Sequence, residues 1–463
     1  MQQNFTSIER RAVFGLSVIY GLRMFGLFLL LPVLAIHADT LAYSTPLLVG
    51  LTIGGYGIAQ AIFQIPFGLM SDKFGRKKII TFGLFLFLLG SVIAGFSENI
   101  YSMLFGRILQ GSGAIAAAVL ALTADLTREN QRSKAMAIIG VSIGGSFMLA
   151  FIVAAPLVSL IGFSGLFFVT ALLAMMAITA LWLYVPNQLA RPSRDVKFVV
   201  SDFVGLFKHP HLMRLNLGIF VLHCVLTAMF VVVPLLLVER LNMSPVTHWK
   251  LYIPVMLASV VLMIPMIIAS ANKAMIMRVF LIAICLLILA QIGLYVSNLD
   301  SFYSIASCLL VFFVGFNALE ALLPSLVTRL SPAANKGTAV GIYNTFQFSG
   351  VFIGGAVGGF LMGESGVDAV FVFCGVLLLS WSTIVIFSPE APLYDSQLVK
   401  LNKNRVNQTE ENSQIYDNLL EVDGVKDVTI IDEENIAYLK VDRVDFDLSS
   451  LNKFTFVEKF KID

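Results

Sequence analysis

Four ionisable side chains, Arg23, Arg107, His223 and Glu320, sit inside long apolar runs. A charge at bilayer depth costs ~2.5–3.5 kcal/mol or more, so each needs a partner or a water-filled cavity. A carboxyl such as Glu320 is neutral with its proton on and charged with it off, which is the chemistry of a proton carrier. The alternative is a structural acid paired permanently with an arginine. His223 titrates near neutrality unaided and could share the task, or could simply pack with a hydrogen bond. Arg23 and Arg107 could hold a carboxylate or tune a neighbouring acid. Gln60, Gln64, Asn317, Asn344 and Gln347 offer neutral hydrogen bonds to a substrate, or equally to other helices. Phe25, Phe147, Phe151, Phe316 and Phe346 could line a cavity, although with 38 phenylalanines lipid contact explains any one of them as well.

A second group is concentrated in the eleven-residue stretch 68–78, which holds Gly68, Asp72, Lys73, Gly75, Arg76, Lys77 and Lys78. Apolar runs at 47–67 and 79–96 flank it, each long enough to cross a ~30 Å hydrocarbon core at 1.5 Å per residue. The stretch therefore reads as a short polar hairpin between two membrane helices, and its four cations place it in the cytoplasm. Asp72 beside those cations, with glycines that permit a tight turn and close helix contact, suggests more than a basic loop. Asp72 and Arg76 can pair there, and Asp125 at the end of the fourth span is placed to take Arg76. Such a cluster would latch the cytoplasmic side shut. A plain solvated helix end is the other reading of Asp125.

The elements that position these groups follow from composition. With 58% apolar and 13% charged residues, the chain is not a water-soluble globule, which carries roughly a quarter charged residues. Twelve spans are predicted, at 12–37, 46–70, 78–96, 101–125, 135–160, 163–185, 212–238, 249–270, 275–296, 302–328, 338–362 and 367–387. The first, behind Arg10 and Arg11, lacks an A-x-A-like cleavage site and is expected to be retained. Eighteen lysines and arginines fall in loops or in the first turn of a span on one side and two on the other, so both termini are expected in the cytoplasm. The longest internal connection, 187–211, divides a six-span half (1–186) from a second (212–390). Leu126-Thr127-Arg128 with Lys134-Ala135-Met136-Ala137, and Val327-Thr328-Arg329 with Lys336-Gly337-Thr338-Ala339, occupy equivalent loops, as expected of duplicated halves.

Beyond Pro389 and Pro392 the character changes. From Lys400 onward there are nine basic and fourteen acidic residues and no apolar run long enough to span. The pattern predicts strands at 397–403, 425–431, 436–441 and 455–461 and helices at 410–422 and 448–453. This β-α-β-β-α-β order is ferredoxin-like, in a small soluble cytoplasmic domain over 396–463.

The hairpin residues Gly68, Asp72, Lys73, Gly75, Arg76 and Lys77 resemble the loop signature G-x-x-x-D-[RK]-x-G-R-[RK] of the major facilitator superfamily. Arg107, Gln110 and Gly111 resemble the R-x-x-Q-G element of its drug/proton antiporters. The resemblance covers roughly residues 10–390. Ile65-Pro66-Phe67-Gly68, the run from Gly111 to Val119 and the run from Leu319 to Leu326 resemble a subgroup that carries a ferredoxin-like tail. One element departs: Gly140, Gly144 and Gly145 match the fifth-span antiporter pattern, but its Gly-Pro step reads Ala155-Pro156. The resemblance implies an all-helical membrane body of two six-helix halves that rock around a site near the bilayer midplane, lined by spans one, four, seven and ten. Each of those four spans carries one of the four buried ionisable groups.

The tail stretch from Leu419 to Val428 resembles heavy-metal-associated domains, but the place of their C-x-x-C reads Lys403-Asn404-Arg405-Val406-Asn407-Gln408. Metal binding is therefore not expected. The tail is read as a docking, sensing or passive element. The four cysteines all lie in apolar runs without metal-ligand spacing and read as small core residues. No Walker-type G-x-x-x-x-G-K-[ST] and no nucleophile–base set is present, so neither ATP hydrolysis nor enzymatic catalysis is expected. The acidic tail disfavours nucleic acid. The expectation is a monomeric, cofactor-free, proton-coupled exporter of a small molecule in a bacterial inner membrane. Glu320, His223 and Arg107 would carry the proton coupling. Uptake symport and a transporter-like sensor are the alternatives.

Overall fold

The computed structural model describes residues 4–187, 205–296, 299–331, 336–389, 395–401, 410–431, 436–442, 445–454 and 456–457. The helices are α1 (Ser7–Phe28), α2 (Leu31–Ala38), α3 (Pro46–Phe74), α4 (Arg76–Gly95), α5 (Ile100–Ser112), α6 (Ala116–Asp125) and α7 (Glu129–Leu183). There follow α8 (Pro210–Glu239), α9 (Trp249–Ser270), α10 (Lys273–Val296), α11 (Phe302–Leu330), α12 (Lys336–Ser365) and α13 (Val367–Phe387). Eleven segments among the described residues are long and apolar enough to cross a membrane. One of them belongs to the 55-residue α7, which Gly162 breaks at φ +73°; the fifth and sixth spans were predicted on either side of that break.

Starts and stops obey local chemistry. Thr6 and Glu9 cap α1 reciprocally: the Thr6 hydroxyl accepts the Glu9 N–H at 3.2 Å and the Glu9 carboxylate accepts the Thr6 N–H at 2.8 Å. Thr45 and Asn99 cap α3 and α5 through their side-chain oxygens. Two predicted single spans are interrupted. The first bends between α1 and α2 at Leu29–Leu30, just before Pro32, and the fourth unwinds over Gly113–Ile115 between α5 and α6.

The predicted hairpin over 68–78 is a correction. Helix α3 runs through to Phe74 and α4 restarts at Arg76, leaving Gly75 alone as the turn, at φ +96°. Only glycine enters that region without a Cβ penalty, so one residue does what a loop was expected to do. The polar residues around it are helical.

The body has two compact units. The first comprises 1–198, 216–322 and 341–387; the second comprises 199–215, 323–340 and 388–463. Within the first, α3 and α12 come into backbone contact over the Pro46 half of α3. A Cβ added at Gly50 would lie 2.1 Å from the Gly355 carbonyl oxygen, one at Gly359 would lie 2.4 Å from the Pro46 carbonyl, and one at Gly57 would lie 2.6 Å from the Phe348 carbonyl. Phe151 of α7 meets Phe230 of α8 and Tyr252 of α9, each with ring centroids 5.3 Å apart. Residues from before and after the central loop thus share a core that includes Val49, Ile53, Ala154, Phe167 and Val231. Toward the Gly75 end the picture reverses: a Cβ at Gly140, Gly144, Gly145 or Gly341 would meet none of the described residues within 4 Å.

In the second unit, β1 (Asp395–Lys400), β2 (Val425–Ile431) and β3 (Ile436–Val441) form an antiparallel sheet in the order β1-β3-β2. Helix α14 (Glu410–Leu420) places Ile415 and Leu419 in a core with Val399, Val428, Leu439 and Leu451. The predicted middle strands hold their boundaries, the first begins two residues early, and the second predicted helix is a 3-10 segment, Leu448–Lys453. The last predicted strand is represented by one antiparallel bridge, Leu401 to Val457. The connection 432–435 between the two middle strands, the 403–408 stretch and most of the central loop lie outside the described residues.

Candidate functional site

Helices α8, α11 and α12 bring His223, Glu320 and Gln347 together. His223 Nε2 and Gln347 Nε2 are 2.8 Å apart, so the imidazole nitrogen accepts the amide proton. Gln347 also donates toward Glu320 Oε1 at 3.5 Å, and Glu320 Oε2 lies 3.9 Å from His223 Nε2. Phe316, one turn before Glu320, places its ring 5.9 Å from the imidazole. Glu320 keeps 39% of its side chain accessible although Oε2 itself is enclosed and unbonded. Among the described residues no lysine or arginine lies within ion-pair distance of it. The side chain is therefore partly accessible and, among the described residues, not locked to a cation.

Tyr343 completes the group and was not singled out from the sequence. It lies one helical turn before Gln347 on α12, within electrostatic reach of Glu320, and its buried hydroxyl has no hydrogen-bond partner among the described residues. The i, i+4 spacing to Gln347 was the available signal.

Arg23 and Arg107 occupy a separate buried site. Arg23 is fully buried; its Nη2 donates to the Tyr56 hydroxyl at 2.8 Å, the Gly113 carbonyl at 2.9 Å and Gln60 Oε1 at 3.0 Å. Gln60 in turn donates to Gln64 at 3.2 Å. Gly113 ends α5, so the guanidinium satisfies a carbonyl freed by the break in the fourth span. Arg107 donates to Gln110 at 2.8 Å and weakly to the Thr52 carbonyl, and Gln110 donates to Ser91 at 2.8 Å. Both guanidinium groups lie over the Tyr56 ring, at 5.9 and 5.4 Å. Arg23, Gln60 and Gln64 face one another, not an opening. Asn317 donates to Ser259 at 3.0 Å, and Asn344 is half-buried. Phe147 packs between Phe28 and Phe151.

At the Gly75 turn Arg76 pairs with Asp72 and reaches Asp125 at 3.2 Å and the Ser71 hydroxyl at 2.7 Å. Lys77 donates to the Val185 carbonyl at 2.7 Å and to Asn187 at 2.8 Å, and a Cβ on Gly68 would touch Ala117 at 3.5 Å. Beside this cluster, Arg128 binds Glu9 through Nε at 2.8 Å and Nη2 at 2.9 Å, a tie between α1 and the α6–α7 turn that no sequence spacing announced. Arg76→Ala should cost about 1–2 kcal/mol, the worth of a charged hydrogen bond beside partly exposed pairs. The fall in thermal midpoint of purified protein checks this; an unmoved midpoint means the pairs are merely solvated.

The arrangement is a helical body with segments long and apolar enough to cross a membrane and a partly accessible acid beside a histidine. The chain belongs to the major facilitator superfamily, whose family model matches residues 16–355 and 278–409. It is 41% identical over 435 residues to the inner membrane transport protein YajR of Escherichia coli K12, covering 94% of each chain. It is 26% identical to multidrug resistance protein 2 of Bacillus subtilis strain 168, over 71% of this chain and 83% of that one. Among solved structures, a bacterial homologue of the human lysosomal transporter Spinster, inward-facing and occupied, superposes with a TM-score of 0.66. That match has 13% identity and covers 83% of this chain and 97% of the other. The chain is thus a membrane transporter and not an enzyme.

Proposed function

We propose that this protein is a proton-coupled exporter of a small molecule, working by alternating access between two six-helix halves across a bacterial inner membrane. One observation supports the coupling: the partly accessible Glu320 side chain lies beside His223 and Gln347, and among the described residues no lysine or arginine is within ion-pair distance of it. A proton can leave and return to such a group, and the histidine beside it offers the next acceptor. With the basic loops taken as cytoplasmic, the α3–α12 contact closes the outer side and the free glycines of α7 and α12 face the inner one. That geometry corresponds to an inward-facing state. The Asp72–Arg76–Asp125 cluster already ties α3, α4 and α6 here, so to act as a latch it would gain a contact from the second half in the outward-facing state. The name of the B. subtilis relative supports export, and the strand order β1-β3-β2 with the Leu401–Val457 bridge supports a ferredoxin-like tail.

Proteoliposomes with a pH-sensitive dye in the lumen test this reading. Ligands found by a thermal-shift screen of the purified protein should move protons across the membrane when added on one side. Ligands that bind without any pH change in the lumen, in either gradient direction, would overturn proton coupling.

A further inference from the structure

Alternate residues of a strand face opposite sides of its sheet. On β3, Ala437, Leu439 and Val441 fill the core beneath α14, so Tyr438 and Lys440 project from the other face. A lysine in such a place normally keeps its ammonium in water. Lys440 is instead only 9% exposed, and its Nζ donates to the Leu330 carbonyl at 3.1 Å. Leu330 is the last residue of α11, where carbonyls lack helical donors and the helix dipole favours a cation. The same ammonium acts on His209, just ahead of α8: burial first, then Lys440, holds the His209 pKa below the ordinary histidine value. In its neutral form His209 accepts the Leu212 N–H at Nδ1, 3.4 Å away, and caps α8. One lysine of the C-terminal domain therefore stands at the end of α11 and near the start of α8.

Helix α11 has a weak point between this grip and Glu320. Pro324 has no N–H, so the carbonyl four residues back, that of Glu320 itself, has no helical donor, and the helix bends easily there. The second compact unit takes α11 from Leu323 onward, whereas Glu320 belongs to the first. Ten residues separate Glu320 from Leu330, about 15 Å along the helix.

We propose that the C-terminal domain is a lever on α11. Lys440 grips the Leu330 carbonyl, and the position of the domain sets the bend at Pro324 and with it access to the Glu320 carboxyl. Loss of the grip frees the segment 323–330 and opens that access. This inference does not depend on Glu320 carrying the transported proton.

Dicyclohexylcarbodiimide labelling of Glu320, quantified on its peptide from the full chain in detergent, reads access directly. Lys440→Met should speed labelling about threefold or more, and amide exchange of 323–330 should rise while β2 and β3 stay protected. Lys440→Arg should label like the unaltered chain. Pro324→Ala restores the missing donor, so it should slow labelling by itself and remove the effect of Lys440→Met. Three results would each overturn the lever: unchanged labelling in Lys440→Met with the strands still protected; an equal acceleration with alanine at 324; or no slowing in Pro324→Ala alone. The last keeps its force even if Lys440→Met unfolds the domain, because Pro324→Ala leaves the sheet untouched. Lumen pH in proteoliposomes tests coupling separately.

Discussion

Glu320→Gln is expected to abolish substrate-driven proton movement while leaving substrate exchange close to that of the unaltered protein. Glutamine has the same shape and can keep the contacts to Gln347 and His223, 3.5 and 3.9 Å from the present carboxylate. What it loses is the proton that goes on and off. Transport driven by a pH gradient should therefore fall by about tenfold or more, with equilibrium exchange changed by less than about threefold, the signature of a lost coupling step and not of lost binding. His223→Gln should have a smaller effect, since the imidazole lies beside the carboxyl and would act as its relay. Proteoliposome flux measured with and without a gradient decides the matter. Gradient-driven transport that survives in Glu320→Gln and fails in His223→Gln would transfer the carrier role to the histidine.

The second large effect is expected at the α3–α12 seam. A Cβ on Gly50 would stand 2.1 Å from the Gly355 carbonyl oxygen and 2.8 Å from the Gly359 Cα. Both obstacles are backbone, which cannot rotate away as a side chain would. Gly50→Val should thus be tolerated only where the two helices part. Overpacking of this kind costs about 1–3 kcal/mol, enough to move a two-state equilibrium roughly 5–150-fold. In a cysteine-free background, a cysteine replacing Met362 near the seam should become more reactive to an impermeant maleimide in Gly50→Val. One replacing Ser142, toward the Gly75 end, should become less so. If neither reactivity moves, the seam does not govern which end is open. Gly140→Val is the control: its site has nothing within 4 Å, so it should leave Met362→Cys labelling unchanged in this state.

The match between sequence and structure follows the range of the forces involved. Span positions depend on twenty or so consecutive apolar residues and on caps such as Thr6, Thr45 and Asn99, all within one stretch of chain, and most observed helices lie within a few residues of the predicted spans. Breaks were harder to read. Gly75 replaced an expected loop because one residue at φ +96° suffices to turn the chain, and the fourth span is broken at Gly113, whose carbonyl accepts from Arg23, ninety residues away, as well as from the Ile115 N–H. The cost of a charge in a membrane singled out Arg23, Arg107, His223 and Glu320 before any fold was known. It did not say which of them meet.

What the amino-acid order determined by itself was therefore the class of molecule, the list of costly buried groups and the arginine–carboxylate cluster around Gly75, whose members lie on adjoining helix ends. Only the tertiary structure decided that the four ionisable groups divide into two sites. Arg23 and Arg107 share the Tyr56 ring, and Glu320 joins His223, Gln347 and Tyr343 on three other helices. The reason is physical: helix formation and membrane burial depend on near neighbours along the chain. Partnership between buried polar groups depends on how helices rotate and pack against one another, and that is set by contacts such as Gly50 on Gly355 that no local pattern encodes.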